Sequence, residues 1–232
     1  MPAEPSKDKE HIFPETELLK IREPKSFKDR LMNVYYDSLP LFNVNVAWFL
    51  LSLPIVSVLP ALGGLYYAVL NYNQNKNANW NIFWEGIKKH WLLSLKWAAV
   101  VLFGNLLITL NIWFSLNIDT TWSIYTLLFG LMLGIFWISI NQFSFPILLL
   151  QKEKKIFLAI RNAYVIVLRR PWDAIKVILL NLLITIVSLL IPPFWIFITM
   201  SLIVHIQTRS VLKAVKRIQS QDDDPDTNIS ES

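Results

Sequence analysis

The chain of 232 residues is 54% hydrophobic and 17% charged, with a mean hydropathy of +0.42; it is too apolar for an ordinary soluble domain and too punctuated for one fibrous helix. Its formal charge of +5 comes from basic stretches flanking apolar runs, so the surface it suits is an anionic membrane leaflet rather than nucleic acid. The absence of cysteine excludes disulfides, thiolate metal sites and a Cys nucleophile.

All 22 Lys and Arg residues fall in four stretches, Met1 to Pro40, Gln74 to Lys96, Gln151 to Lys176 and Arg209 to Ser232. The long apolar runs between them contain none, the pattern of a polytopic membrane protein with one basic side. Residues 1–25 carry Pro2, Pro5, Pro14 and Pro24 among mixed charges, which predicts a disordered cytoplasmic tail. The first 40 residues show neither the n-region nor the h-region of a cleavable signal, so the spans are expected to direct insertion.

Apolar runs follow at 41–73, 97–117, 122–150, 177–191 and 194–208. As one helix the first would be about 50 Å long, against a hydrocarbon core of about 30 Å. It also holds Pro54, Pro60 and Gly63-Gly64, which interrupt a continuous helix. Charge decides its path: crossing once strands most of the cations outside, whereas a turn near Pro60 puts all 22 inside. The reading is an all-α integral membrane protein with six transmembrane helices in three helical hairpins. The spans fall at about 41–59, 60–75, 97–117, 122–150, 174–191 and 194–212 of a single membrane domain, 26–217. Both termini are cytoplasmic in a bacterial plasma membrane. The outer turns are Val58 to Pro60, Asn117 to Thr121 and Pro192-Pro193, with Asp119 the only charged residue outside. The shorter spans borrow length from flanks where Asp173 and Lys176 snorkel.

A basic amphipathic interfacial helix is expected before each hairpin. In Asn79 to Trp91 the residues Trp80, Phe83, Trp84, Ile87 and Trp91 share a face opposite Glu85, Lys88 and Lys89. Such a face belongs at the headgroup level. Ile156, Ile160, Ala163, Tyr164 and Val167 repeat it among Lys154, Lys155, Arg161, Arg169 and Arg170, and Phe27, Leu31, Val34 and Tyr35 give a weaker copy. Asn105-Leu106-Leu107-Ile108-Thr109 recurs as Asn181-Leu182-Leu183-Ile184-Thr185, each pentapeptide early in an outward crossing, which suggests duplicated hairpins running in the same direction. The end of the chain, 218–232, carries Asp222, Asp223, Asp224 and Asp226 and predicts an acidic disordered cytoplasmic tail. There the sequon Asn228-Ile229-Ser230 is a chance match.

The stretch Leu53-Pro54-Ile55-Val56-Ser57-Val58-Leu59-Pro60-Ala61-Leu62-Gly63-Gly64-Leu65-Tyr66-Tyr67 resembles the signature of the YesL-like family, bacterial membrane proteins of a domain of unknown function. In that signature a Leu-Pro pair is followed by Pro-Ala, small residues and a Tyr-Tyr pair. Phe83-Trp84, Ala159-Ile160-Arg161-Asn162 and Pro192-Pro193 extend the resemblance over about residues 25–215. Leu62 stands where many relatives carry Thr, and Gly63 and Gly64 where they carry small Ala positions. The resemblance implies a companion of carbohydrate uptake systems, and it assigns no catalytic residue; the expected partner is a sugar-importer subunit or, as the alternative, a second copy of the chain.

Within the spans the polar residues are Asn43, Asn45, Asn71, Asn105, Asn111, Asn141, Gln142 and Asn181, with several Ser and Thr. In lipid such amides seek interhelical hydrogen bonds. Asn105, Asn141 and Asn181, one on each of three spans, are the candidates for a polar central seam. No Asp, Glu, Lys or Arg lies in mid-span, which argues against ion-coupled transport. His205 reads as a packing residue, and His11, His90 and His205 lack metal-ligand spacing. No P-loop, nucleophile elbow or paired-carboxylate motif is present, so neither cofactor nor metal is expected. The expected function is a non-enzymatic accessory or scaffold linked to carbohydrate import, with a permease or channel for a small neutral solute as the alternative.

Overall fold

The computed structural model describes residues 27–222 apart from 75–76, 119 and 121, with side chains described between 39 and 217. The expected tail at 1–25, Asp119, and the acidic residues and sequon beyond Asp222 lie outside the described residues, as do the side chains of Phe27, Leu31, Val34 and Tyr35. Regular structure among the described residues is entirely helical: α1 (Phe27–Ser52), α2 (Val58–Asn73), α3 (Trp80–Asn117), α4 (Ser123–Leu150), α5 (Ile156–Arg169), α6 (Pro171–Leu190) and α7 (Met200–Asp222). A short 3-10 turn, Ile55–Ser57, precedes α2, and a π-helical segment, Trp195–Thr199, precedes α7. Five stretches are long and apolar enough to cross a membrane: Ile55–Asn73, Trp80–Asn117, Ser123–Leu150, Pro171–Leu190 and Trp195–Arg217. The apolar part of α1, Leu39–Ser52, is shorter.

The first break falls at Leu53 to Ser57, not at Val58 to Pro60 as the sequence suggests. Pro60 sits in the first turn of α2, where a helix has no use for its missing N–H. Pro54 falls in the break itself, and there the Ser57 hydroxyl donates to the Leu51 carbonyl at the end of α1 and to the Pro54 carbonyl, which also accepts the Ser57 N–H.

The interfacial helix at 79–91 and the span at 97–117 are one 38-residue helix, about 57 Å long. Its buried residues Phe83, Gly86, Ile87, His90, Ser94, Trp97 and Ala98 continue one helical stripe across the expected boundary, and no Gly or Pro interrupts 91–97. Asn79 starts it, its side chain accepting the Ile82 N–H at 2.9 Å, an ordinary N-cap. In contrast, α5 is a separate helix. Arg170 leaves helical geometry and Pro171 opens α6, so the chain turns between them. At the other end α7 runs to Asp222, past the expected domain boundary at 217.

The largest fully buried side chains are Phe83, Phe143, Phe145, Leu65, Ile147, Leu148 and Leu212. They lie on the parts of α2, α3, α4 and α7 that border the basic stretches. There α2 lies against α3 almost backbone to backbone. A Cβ added at Gly64 would come within 2.8 Å of the Phe83 carbonyl oxygen and 2.5 Å of Ile87 Cγ1. Farther from the basic stretches, α3 and α4 expose Leu102, Phe103, Leu106, Leu107, Phe129 and Met132, a surface suited to lipid rather than water.

Candidate functional site

Where α2, α4, α6 and α7 meet, the polar residues of the interior are joined to one another. The Tyr66 hydroxyl donates to Gln207 Oε1. Gln207 Nε2 in turn donates to Gln142 Oε1, and the same oxygen accepts from Asn181 Nδ2 at 2.9 Å. Tyr66, Gln207 and Asn181 are buried, Gln142 half-buried. Three helices thus meet at the Gln142 oxygen, and Gln207 carries the chain of bonds on to α2. Pro146, one turn further along α4, has no N–H to give the Gln142 backbone carbonyl, which loosens the helix beside this junction. The Oδ1 atoms of Asn181 and Asn141 are buried without a donor among the described residues.

Around this node run three further polar contacts. Asn73 Nδ2 donates to the Thr208 hydroxyl, a second tie between α2 and α7. Trp97 Nε1 donates to Ser144 Oγ at 2.9 Å, tying α3 to α4. Asn45, fully buried on α1, serves the π-helical segment: its Nδ2 donates to the Trp195 and Ile196 carbonyls at 3.0 and 2.7 Å, and its Oδ1 accepts the Ser201 N–H at 2.8 Å. A π segment misaligns the backbone ladder, and one carboxamide satisfies the three groups it frees.

The three asparagines expected to form a seam do not come together. Asn181 enters the node, and Asn141 neighbours Gln142 with its Oδ1 buried. Asn105 is exposed on α3 with no hydrogen bond to its side chain among the described residues. Asn43 is also exposed; it adjoins 27–38, whose side chains lie outside the described set. Asn71 turns back to the Tyr67 carbonyl at 2.8 Å.

The Tyr-Tyr pair divides its work. Tyr66 faces the node, and Tyr67 faces the basic end, its hydroxyl donating to Glu85 Oε1 at 2.8 Å while Lys89 Nζ lies 5.6 Å from its ring centroid. Gly63 and Gly64 are buried against Ser94, Ile87 and the Phe83 backbone, so their smallness serves the α2 and α3 contact. Beyond α4, Lys154 turns its ammonium back onto the Leu149 carbonyl. Although much of its side chain is exposed, burial of the ammonium, and then the Lys89 charge, pull it down to about 8.

Gln207 and its link to Gln142 escape the sequence reading, yet a signal was there. Val204, Gln207, Thr208, Val211 and Leu212 follow i, i+3, i+4, i+7 and i+8, and all are buried. Gln207 is a polar residue within an apolar stripe. A surface cleft of about 670 Å³ is lined by Trp80, Asn81, Trp84, Glu85 and Lys88 on one face of α3, away from the node. Among the described residues no group of three His, Asp or Glu is placed to hold a metal. No family model matches the chain, and no match is found among curated proteins or solved structures.

Proposed function

We propose that the chain is a six-span membrane protein of three hairpins, with both termini in the cytoplasm of a bacterium, acting as a non-enzymatic accessory or scaffold. The observation that carries this reading is the node. Its donors face acceptors on other helices, Tyr66 to Gln207, Gln207 to Gln142 and Asn181 to Gln142, an arrangement that fixes helices rather than receives a solute. The absence of charge from mid-span points the same way, because ion-coupled carriers place ionisable groups there. The tie to carbohydrate import rests on the YesL-like resemblance of Leu53 to Tyr67. The alternative, a permease for a small neutral solute, has in its favour the donor-free Oδ1 atoms of Asn141 and Asn181.

Purified protein in liposomes separates the two readings. The scaffold reading expects no saturable uptake of neutral solutes by the protein alone; reproducible flux abolished by Gln142→Leu in folded protein would establish the permease. Threading is tested with single cysteines, which the cysteine-free chain permits without background. Thr120→Cys should react with an impermeant reagent added to intact cells and Lys89→Cys should not, and the reverse pattern would refute the six-span threading.

A further inference from the structure

The chain contains one asparagine pentapeptide twice, and only one copy has a partner for its amide. Trp97 to Asn117 is free of charge and at 1.5 Å per residue measures about 31 Å, the thickness of a hydrocarbon core. Asn105 lies about 12 Å from the Trp97 end, too deep for so short a side chain to reach the headgroups. It does not turn back to the carbonyl one turn earlier, as Asn71 and Asn117 do at 2.8 and 2.7 Å. Nor does it face α4. Gly104, Ile108, Asn111 and Ile112 make that contact, against Trp137, Gly134 and Gly130, while Asn105, rotated by about 100° from residue 104, is exposed.

The apolar window of α3 is also the least covered of the five candidate spans, 6% buried against 44% for Ile55–Asn73 and 39% for Trp195–Arg217. Lipid tails offer neither donor nor acceptor to a carboxamide. Leu102, Asn105, Thr109 and Leu116 are all exposed and recur at spacings of three, four and seven, the spacing of a helix-to-helix seam.

We propose that this face of α3 joins two copies of the chain about a twofold axis, with the two Asn105 carboxamides hydrogen-bonded to each other. The occupant follows from the chemistry. A carboxamide carries a donor and an acceptor, so its own image across a twofold axis satisfies both sides at once, and an isologous contact needs no second protein. The exposed face carries no charge that calls for a complementary partner. This inference rests on reading 97–117 as a membrane crossing, so the protein must first fractionate with membranes; if it does not, both readings fall.

The test uses full-length protein in native membranes and in mild detergent. Thr109→Cys, one turn from Asn105 on the same face, should give a disulfide-linked dimer under mild oxidation. Leu107→Cys, exposed on the opposite side of α3, should not. Asn105→Leu should raise the dimer dissociation constant about 3- to 30-fold, Asn105→Gln should restore much of the affinity, and both variants should keep the thermal midpoint of the monomer. A membrane-bound parent that stays monomeric, a dimer equally tight in Asn105→Leu, or cross-linking through 107 instead of 109 would each overturn the proposal. Cross-linking of Thr109→Cys to an unrelated membrane protein instead of to itself would overturn it as well.

Discussion

Asn181 and Asn105 begin the same five residues, Asn-Leu-Leu-Ile-Thr, and end in opposite surroundings. On α6 the Asn181 side chain is buried, and its Nδ2 reaches Gln142 on α4; on α3 the Asn105 side chain is exposed. Local sequence makes both segments helix. What differs is the helix placed beside them: Gln142 stands at the height of Asn181, while α4 meets α3 at Gly104, Ile108 and Asn111 and leaves Asn105 exposed. An identical motif therefore carries no fixed role in a membrane bundle. Its role is set by whether a polar group on another helix lies at the same depth.

The largest effect is expected from removing the frame that holds both copies in place. In Gly64→Leu the new side chain meets the Phe83 carbonyl, part of a backbone that cannot swing aside. We expect a loss of about 3 kcal/mol or more, read as a large drop in the thermal midpoint in dodecyl maltoside. A midpoint equal to the parent's would mean that α2 does not lie so close to α3.

Gln142→Leu makes the second copy resemble the first. It deletes the acceptor shared by Gln207 and Asn181 and leaves both donors buried, for an expected loss of about 1–3 kcal/mol. Asn181→Leu should cost less, about 0.6–2 kcal/mol, because the donor-free Oδ1 of Asn181 disappears with the side chain. If the two variants lose equal stability, the Gln207 bond to Gln142 contributes nothing measurable.

How much of this was legible follows from the range over which each signal acts. The apolar runs and confined cations mark the candidate crossings from Trp80 onward, because insertion responds to composition over about twenty residues. Positions of breaks are local: Pro60 and Pro54 look alike in sequence, and only the start of α2 two residues before Pro60 makes that proline harmless. The separation of the 79–91 helix from its span was an inference from a change of composition at Lys96, which the stripe from Phe83 to Ala98 overrides. Asparagine stands out in a leucine-rich span, so sequence alone points to Asn105, Asn141 and Asn181 as a seam. Depth and rotation decide which amides meet, and those depend on how four helices pack. Tyr66 and Gln207 are 141 residues apart in sequence, beyond the reach of any periodicity.

The smallest expected effect is also the sharpest use of the comparison. Asn105→Leu, measured on protein diluted in detergent until it is monomeric, removes no hydrogen bond of the described structure and replaces a polar group on an outer face with one that lipid and detergent tails accept. Its stability should lie within about 0.5 kcal/mol of the parent, where Asn181→Leu, in the identical pentapeptide, shows a clear loss. A loss at Asn105 as large as that at Asn181 would mean that Asn105 is bonded inside the monomer. The contrast between the two copies would then collapse, and with it the reason to look for the missing partner in a second chain.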